Sequence, residues 1–501
     1  MNRITIDNFD LPIANHFAKN VPVFSGRNAL FINNKYYTYE ELWKIVLFIY
    51  KKIPSDKVFE RIGIYCNDDV ETYASSIAIG LYGAAYVPLN NKFPVLRNKN
   101  IAEQCKLKLI LSSVENRDLK EIGGEADIVI TSGNENKEGN EHSDFQKVNQ
   151  PNSYILFTSG TTGEPKGVPL THSNINHFFD FQLNNYNFNS EDRFLQVYEL
   201  TFDVSIFSFL MPLLVGGCCY AVPDKGVKFT TIIQMLKQHK ITVVSMVPTI
   251  LNYIQIYLPE IYLPDLRYSI FSGDALYHQL AVKWARAMPN GVIENFYGPT
   301  ETTIVCLHYP FNEIQSAEES VNGIVPLGKP FDGVDYIIID DENNNSVKGE
   351  LCFAGAQIIS NYLNNKNEHK FIEKDNKRWY KTGDIVLLNS NGNLCFLGRT
   401  DNQVKINGFR IELSEIEFEL ESILNKKAIV LNQKKENKIN SLIAFVETTE
   451  INEVLTKEKL SVLLPNYMIP TEIVAVEKFP LNINGKVDKN QLLFLNNKQP
   501  C

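Results

Sequence analysis

Short apolar runs alternate with stretches of helical periodicity along most of the chain. The runs at 61–66, 109–112, 128–131, 154–157, 243–247 and 268–271 have the length of buried strands. Their alternation with helical patterns predicts an α/β fold, with largely parallel sheets covered by helices. Residues 204–223 carry no charge, close to the length of a membrane span. Pro212 and the pair Gly216-Gly217 interrupt that run, and Ser205 and Ser208 lie within it. A buried helix, a turn and a short strand are expected instead. Residues 133–149, rich in Asn, Glu, Gly and Lys, predict an exposed loop. Near residue 400 the pattern changes to a shorter-ranged α+β one. There Ser414-Glu415-Ile416-Glu417 has the form of a capping box with Ser414 as N-cap. An apolar stripe of Ile416, Leu420, Ile423 and Leu424 follows. The expected division is a large domain over 1–400 and a small C-terminal domain over 401–501.

Composition narrows the function classes. A chain of 501 residues is long for one core, and 44% hydrophobic with 21% charged residues suits a globular enzyme. A net charge of -9 argues against a nucleic-acid partner, which would demand a basic face. Asp7 and Asp10 interrupt the opening segment with no apolar run after them, so no signal peptide and a cytoplasmic location are expected. The eight cysteines form no CxxC pair and no cluster with histidine, so neither zinc nor structural disulfides are expected.

The strongest local signal is Tyr154-Ile-Leu-Phe-Thr-Ser-Gly-Thr-Thr-Gly-Glu-Pro-Lys-Gly. An apolar strand leads into a loop of hydroxyls and glycines, followed by a lysine. Glycines let backbone N–H groups approach phosphate oxygens, hydroxyls donate further bonds, and Lys166 supplies charge. The spacing is not that of a Walker A loop. A bare loop of this composition would often be only a polar turn.

The full string resembles the signature loop of the adenylate-forming superfamily, which includes acyl-CoA synthetases, luciferases, nonribosomal peptide adenylation domains and D-alanine–carrier protein ligases. The resemblance continues along the chain in the family's order. It runs through Thr38-Tyr-Glu-Glu-Leu, Leu81-Tyr-Gly-Ala-Ala-Tyr-Val-Pro-Leu and Phe202-Asp-Val-Ser. It goes on through Asn295-Phe-Tyr-Gly-Pro-Thr-Glu, Gly349-Glu-Leu, Tyr380-Lys-Thr-Gly-Asp and Gly398-Arg-Thr-Asp. It ends with Leu464-Pro-Asn-Tyr-Met-Ile-Pro and Asn484-Gly-Lys. The fold implied is a large N-terminal domain of stacked α/β sheets and a small, mobile α+β C-terminal domain.

The resemblance implies a role for each matched residue. Lys486 would bridge the substrate carboxylate and the α-phosphate of ATP, where the transition state gathers negative charge. Glu301 would hold Mg²⁺, for which a single carboxylate suffices, and Thr300 would meet the phosphates. Thr158, Ser159, Gly160, Thr161, Thr162, Gly163 and Lys166 would cradle ATP. Tyr297 would stack on adenine, with Gly273, Asn295 and Gly298 around it, and Asp384 and Arg399 would lie at the ribose. Asp401 would be the hinge on which the C-terminal domain turns between a pose for adenylation and one for thiol transfer.

In amino-acid-activating members, an acid at the position of Asp203 pairs with the substrate ammonium. Asp203 could instead simply cap the helix that follows. Val204, Phe207, Thr249, Ile270, Ser272, Phe296, Ile304 and Val305 would complete a mostly apolar pocket for a small or medium apolar side chain. The expected reaction forms aminoacyl-AMP and pyrophosphate, then transfers the acyl group to the phosphopantetheine thiol of a separate carrier protein. Two segments depart from many peptide-synthetase domains, Ile358-Ile-Ser-Asn-Tyr-Leu and Lys405-Ile-Asn-Gly. They keep a D-alanine–carrier protein ligase open, although Ser272 stands where those ligases would have cysteine. An acyl- or aryl-CoA ligase and a nucleotide-binding pseudoenzyme are rival readings of the same motifs.

Overall fold

The computed structural model describes residues 12–133, 145, 148–160, 164–224, 226–365, 368–401, 403–406, 408–434, 440–481 and 487–496. Lys486, Thr161, Thr162 and Gly163 lie outside the described residues, as does most of the loop expected over 133–149.

Two mainly parallel sheets and one antiparallel sheet occupy the region up to residue 399. The largest has nine strands. Its centre runs in parallel through Asn28–Ile32, Cys218–Ala221, Arg193–Gln196, Val243–Met246, Tyr268–Phe271 and Val292–Tyr297. The second has six strands, parallel from Asp127–Ile130 to Asn152–Thr158, with Lys166–Thr171 added antiparallel at the edge. All six apolar runs identified in the sequence form strands of these two sheets. The third, five-stranded sheet is antiparallel and built from residues 334–399. Its strands mix short apolar runs, such as 336–339 and 385–388, with exposed and half-buried positions, so they are marked less plainly in the sequence.

The uncharged segment 204–223 folds as expected, into the helix Val204–Val215, a Gly216-Gly217 turn and the strand Cys218–Ala221. Phe207, Met211 and Leu214 of that helix join a core shared with the helix His172–Asn185 and with strands of all three sheets. Among the described residues no helix is long and apolar enough to cross a membrane.

Beyond residue 402 the chain forms a hairpin (Gln403–Ile406 with Phe409–Glu412) and a three-stranded sheet flanked by the helices Leu413–Leu424 and Glu453–Ser461. The apolar stripe on the first helix is real: Ile416 and Leu420 are fully buried. The capping box does not form. Glu412 occupies the N-cap position and its side chain makes no cap bond, so Ser414 lies inside the first turn. The carboxylates of the expected box are engaged elsewhere: Glu415 reaches the large domain, and Glu417 accepts the backbone N–H of Val430 at 2.9 Å. Tertiary contacts override the local capping preference here.

Candidate active site

A cavity opens where the carboxyl ends of the parallel strands meet the C-terminal hairpin, the usual position for ligands in open α/β sheets. Thr158, Ser159, Asp203, Val204, Ser272, Gly273, Gly298, Thr300, Ile304 and Val305 border it from the large domain. Gly408, Phe409, Arg410 and Tyr467 close it from the C-terminal side. A second cleft adjoins it, lined by Thr249, Gly273, Asn295, Phe296, Tyr297, Asp384, Arg399, Asp401 and Lys405. Of the residues predicted for the acid, Phe207 and Ile270 border neither space. They are buried in the core beneath.

Glu301 is fully buried in the short turn Thr300–Thr302. Arg410 donates to one of its oxygens at 2.7 Å and the Tyr362 hydroxyl to the other at 2.6 Å. Burial alone would raise its pKa, but Arg410, Lys166 and the Tyr362 hydroxyl outweigh that and hold it at about 2. Gly298 lets the turn pack this closely, since a Cβ there would meet the Cα of Val305 at 2.5 Å. Lys166 is also buried, 3.7 Å from Glu412. Burial first, and Arg410 second, push its pKa down to about 8.

The start of the predicted phosphate loop is tied to the C-terminal domain. The Ser159 hydroxyl donates to the Arg410 carbonyl at 2.9 Å and accepts from the Glu412 N–H at 3.2 Å. The Gly160 N–H donates to Glu415 at 3.1 Å, and Glu415 also pairs with buried Arg97 at 2.7 Å. Thr158 leaves its buried hydroxyl without a partner. An aromatic row of Phe93, Tyr467, Phe409 and Phe202 extends the contact, with Phe409 and Tyr467 stacked at 3.9 Å.

In the second cleft, the Tyr297 hydroxyl donates to Asp384, which also pairs with Arg399. Arg399 bonds Asp401 through two nitrogens, at 2.7 and 2.9 Å. Asp401 also lies 3.5 Å from Lys370 and accepts the Gln403 N–H at 3.2 Å, so it is anchored at the junction between the domains. Asn295 donates to the Pro326 carbonyl at 2.8 Å. The Thr249 hydroxyl donates to Asp274 at 2.6 Å. Lys405 lies over the Tyr297 ring, 5.6 Å from its centre.

Asp203 precedes the helix Val204–Val215 but already has helical backbone angles, and its side chain makes no cap bond. The plain capping role therefore does not account for it. Burial pushes its pKa up to about 6, against smaller opposing effects of the Thr300 hydroxyl and the Val204 N–H.

Sequence reasoning does not single out Arg410, Tyr362, Arg97, Glu415, Tyr198 or Lys405 as site residues. Arg410 and Tyr362 fall inside or beside family segments, yet their contacts with Glu301 span 109 and 61 residues of chain. Periodicity carries no trace of such pairs.

Comparison with known proteins fits this geometry. The family model described as AMP-binding enzyme matches residues 17–363. The chain belongs to this AMP-binding family of adenylate-forming enzymes. Zwittermicin A synthase ZmaJ of Bacillus cereus is 32% identical to this AMP-binding enzyme over 456 residues, covering 87% of the chain and 85% of ZmaJ. The D-alanine–D-alanyl carrier protein ligase of Lactococcus lactis is 32% identical over 479 residues, covering 91% and 93%. Among solved structures, the Vibrio cholerae adenylation domain AlmE, in complex with glycyl-adenosine-5'-phosphate, superposes with a TM-score of 0.85. It is 26% identical and covers 99% of both chains.

Proposed function

We propose that this AMP-binding enzyme activates an amino acid with ATP, forms aminoacyl-AMP and pyrophosphate, and passes the aminoacyl group to the thiol of a phosphopantetheine arm on a carrier protein. The observation that carries the amino-acid reading is Asp203. It is a buried carboxylate on the cavity wall with no capping role, and burial of this kind is costly without a cationic partner. A substrate α-ammonium supplies that partner.

ATP then takes the second cleft, with Asp384 and Arg399 at the sugar and Tyr297 against the base. Lys166 and the hydroxyls of Thr158, Ser159 and Thr300 face the phosphates. Lys486, from its position in Asn-Gly-Lys, is assigned to the carboxylate and α-phosphate. Magnesium fits Glu301, whose carboxylate is ionised and buried beside Lys166. When bound there, it would neutralise charge on the ATP phosphates. With the hairpin seated in the cavity and Arg410 on Glu301, the described arrangement suits the later, thiol-transfer step. Asp401 is the proposed pivot between the two poses.

The test is amino-acid-dependent ATP–pyrophosphate exchange over the L-amino acids, D-alanine, β-alanine and a set of fatty and aryl acids. Exchange with an amino acid that disappears in Asp203→Ala and Lys486→Ala supports the reading. Exchange only with acids lacking an amino group would overturn it in favour of an acyl- or aryl-CoA ligase. D-alanine is a second reading, favoured by the near-full-length match to the carrier protein ligase, and the same panel resolves it.

A further inference from the structure

Three hydroxyls lie together at the substrate cavity with no hydrogen-bond partner beyond one another: Tyr198 Oη and Ser272 Oγ on its wall, and Ser245 Oγ behind them. They come from the carboxyl ends of three neighbouring parallel strands, Arg193–Gln196, Val243–Met246 and Tyr268–Phe271. Ser245 stands in register with Ile270, and Ser272, two residues further on, projects from the same face of the sheet. Both serines are only 2% exposed. Each is close enough to Tyr198 to favour its ionised form, although burial dominates and raises the phenol. None of the three has a partner outside the cluster.

Buried hydroxyls are normally satisfied, and an unsatisfied one carries its full desolvation cost. Three in one cluster, bonded to nothing but one another, point to an occupant that supplies the remaining bonds. Tyr198 and Ser272 border the same cavity as Asp203, and the surfaces beside them, Val204, Val247, Ile304 and Val305, are apolar. The cluster itself has no charge. It can both donate and accept, so it suits a neutral polar group better than a carboxylate or an ammonium.

On the reading that Asp203 binds an α-ammonium, we infer that the amino acid carries an uncharged hydrogen-bonding group, a hydroxyl or a carboxamide, on its side chain, and that Tyr198, Ser245 and Ser272 recognise it. This departs from the apolar side chain expected from the sequence. The departure arises because Phe207 and Ile270, which made the pocket look apolar, lie in the core, while Tyr198 takes a place on the wall.

The experiment compares near-isosteric pairs in ATP–pyrophosphate exchange, as both L and D forms: serine with 2-aminobutyrate, threonine with valine, asparagine with leucine. One polar member is expected to exceed its alkyl partner in kcat/KM by roughly 10⁴-fold, the discrimination typical of sites built to bond a substrate hydroxyl or amide. Ser272→Ala, Ser245→Ala and Tyr198→Phe are each expected to shrink that ratio by about tenfold or more, mainly through KM of the polar member. A variant that lowers both members equally, leaving the ratio intact, would overturn the role of that hydroxyl. Equal or better use of the alkyl members by the wild-type enzyme would overturn the proposal and leave the cluster as the site of a trapped water. If no amino acid of any pair exchanges while an amine-free acid does, the amino-acid reading itself has failed, an outcome distinct from lost discrimination.

Discussion

Asp203, the proposed ammonium partner, is a buried carboxylate whose charge opposes the stability of the fold. Its folded pKa of about 6 lies above the ordinary value of 3.8. The associated stability is therefore fully present below pH 3.8 and is lost as pH rises through about 6. By linkage the loss is roughly 3 kcal/mol at neutral pH. Asp203→Asn should accordingly melt at a higher temperature than the wild type at pH 7–8 in the absence of substrate, with the difference vanishing below pH 4. A calorimetric series over pH checks this. The same variant should lose amino-acid-dependent exchange, and the wild-type KM for the amino acid should rise as pH falls below about 6, because a protonated Asp203 no longer attracts an ammonium. A wild-type protein as stable as the variant at pH 8 would contradict the buried-charge account.

Glu301 presents the opposite case. Its carboxylate is compensated, and so is the guanidinium of Arg410. Glu301→Gln leaves Arg410 without its partner in a buried setting and should destabilise the protein by about 3–5 kcal/mol. Pairing it with Arg410→Met should recover part of that loss. Urea melts of the two single variants and the double variant measure the coupling, and strict additivity would show that the pair is not the source.

Among the elements, the hairpin Gln403–Ile406 with Phe409–Glu412 fits its seat through one glycine. Gly408 has φ +83°, and a Cβ at that position would run into Val247. Gly408→Ala should therefore keep the hairpin from seating. Loading of a thiol acceptor should fall by roughly 10²-fold, while ATP–pyrophosphate exchange, proposed to occur with the hairpin withdrawn, continues. Equal loss of both activities would contradict this separation.

The elements also show what a sequence can reveal. The parallel strands are visible because both of their faces are buried and they read as continuous apolar runs. The residues bordering the cavity from the large domain are visible because they fall in dense motifs such as Asn295-Phe-Tyr-Gly-Pro-Thr-Glu. Ser414 misleads because a local preference yields to contacts across the molecule: Glu415 serves Arg97 and the Gly160 N–H. Tyr198 escapes notice because an aromatic residue before a motif looks like ordinary core, and only its place on the cavity wall beside two serine hydroxyls distinguishes it.

At the scale of the whole molecule, the C-terminal domain is held by the buried Arg97–Glu415 pair, by the bonds of Ser159 and Gly160, and by the aromatic row from Phe93 to Phe202. On the proposed movement between two poses, these contacts would be made and broken together. On the proposed role of Glu301, Mg²⁺ with ATP should favour withdrawal, because both oxygens of that carboxylate are engaged when the hairpin is in place. Fluorescent labels on the two domains should move apart when Mg²⁺ and ATP are added to the wild type. Arg410→Met should need less Mg²⁺ for the same response, and an identical Mg²⁺ dependence would refute the competition.

If a metal ion takes Glu301 as proposed, Arg410 and that ion would claim the same carboxylate, and the site would work as a turnstile. The guanidinium would then enter only after the cation that accompanies the first by-product had gone. On that reading a single side chain would set the order of the two half-reactions, with no separate timing device, and would keep the activated acid from the thiol until pyrophosphate had cleared the way.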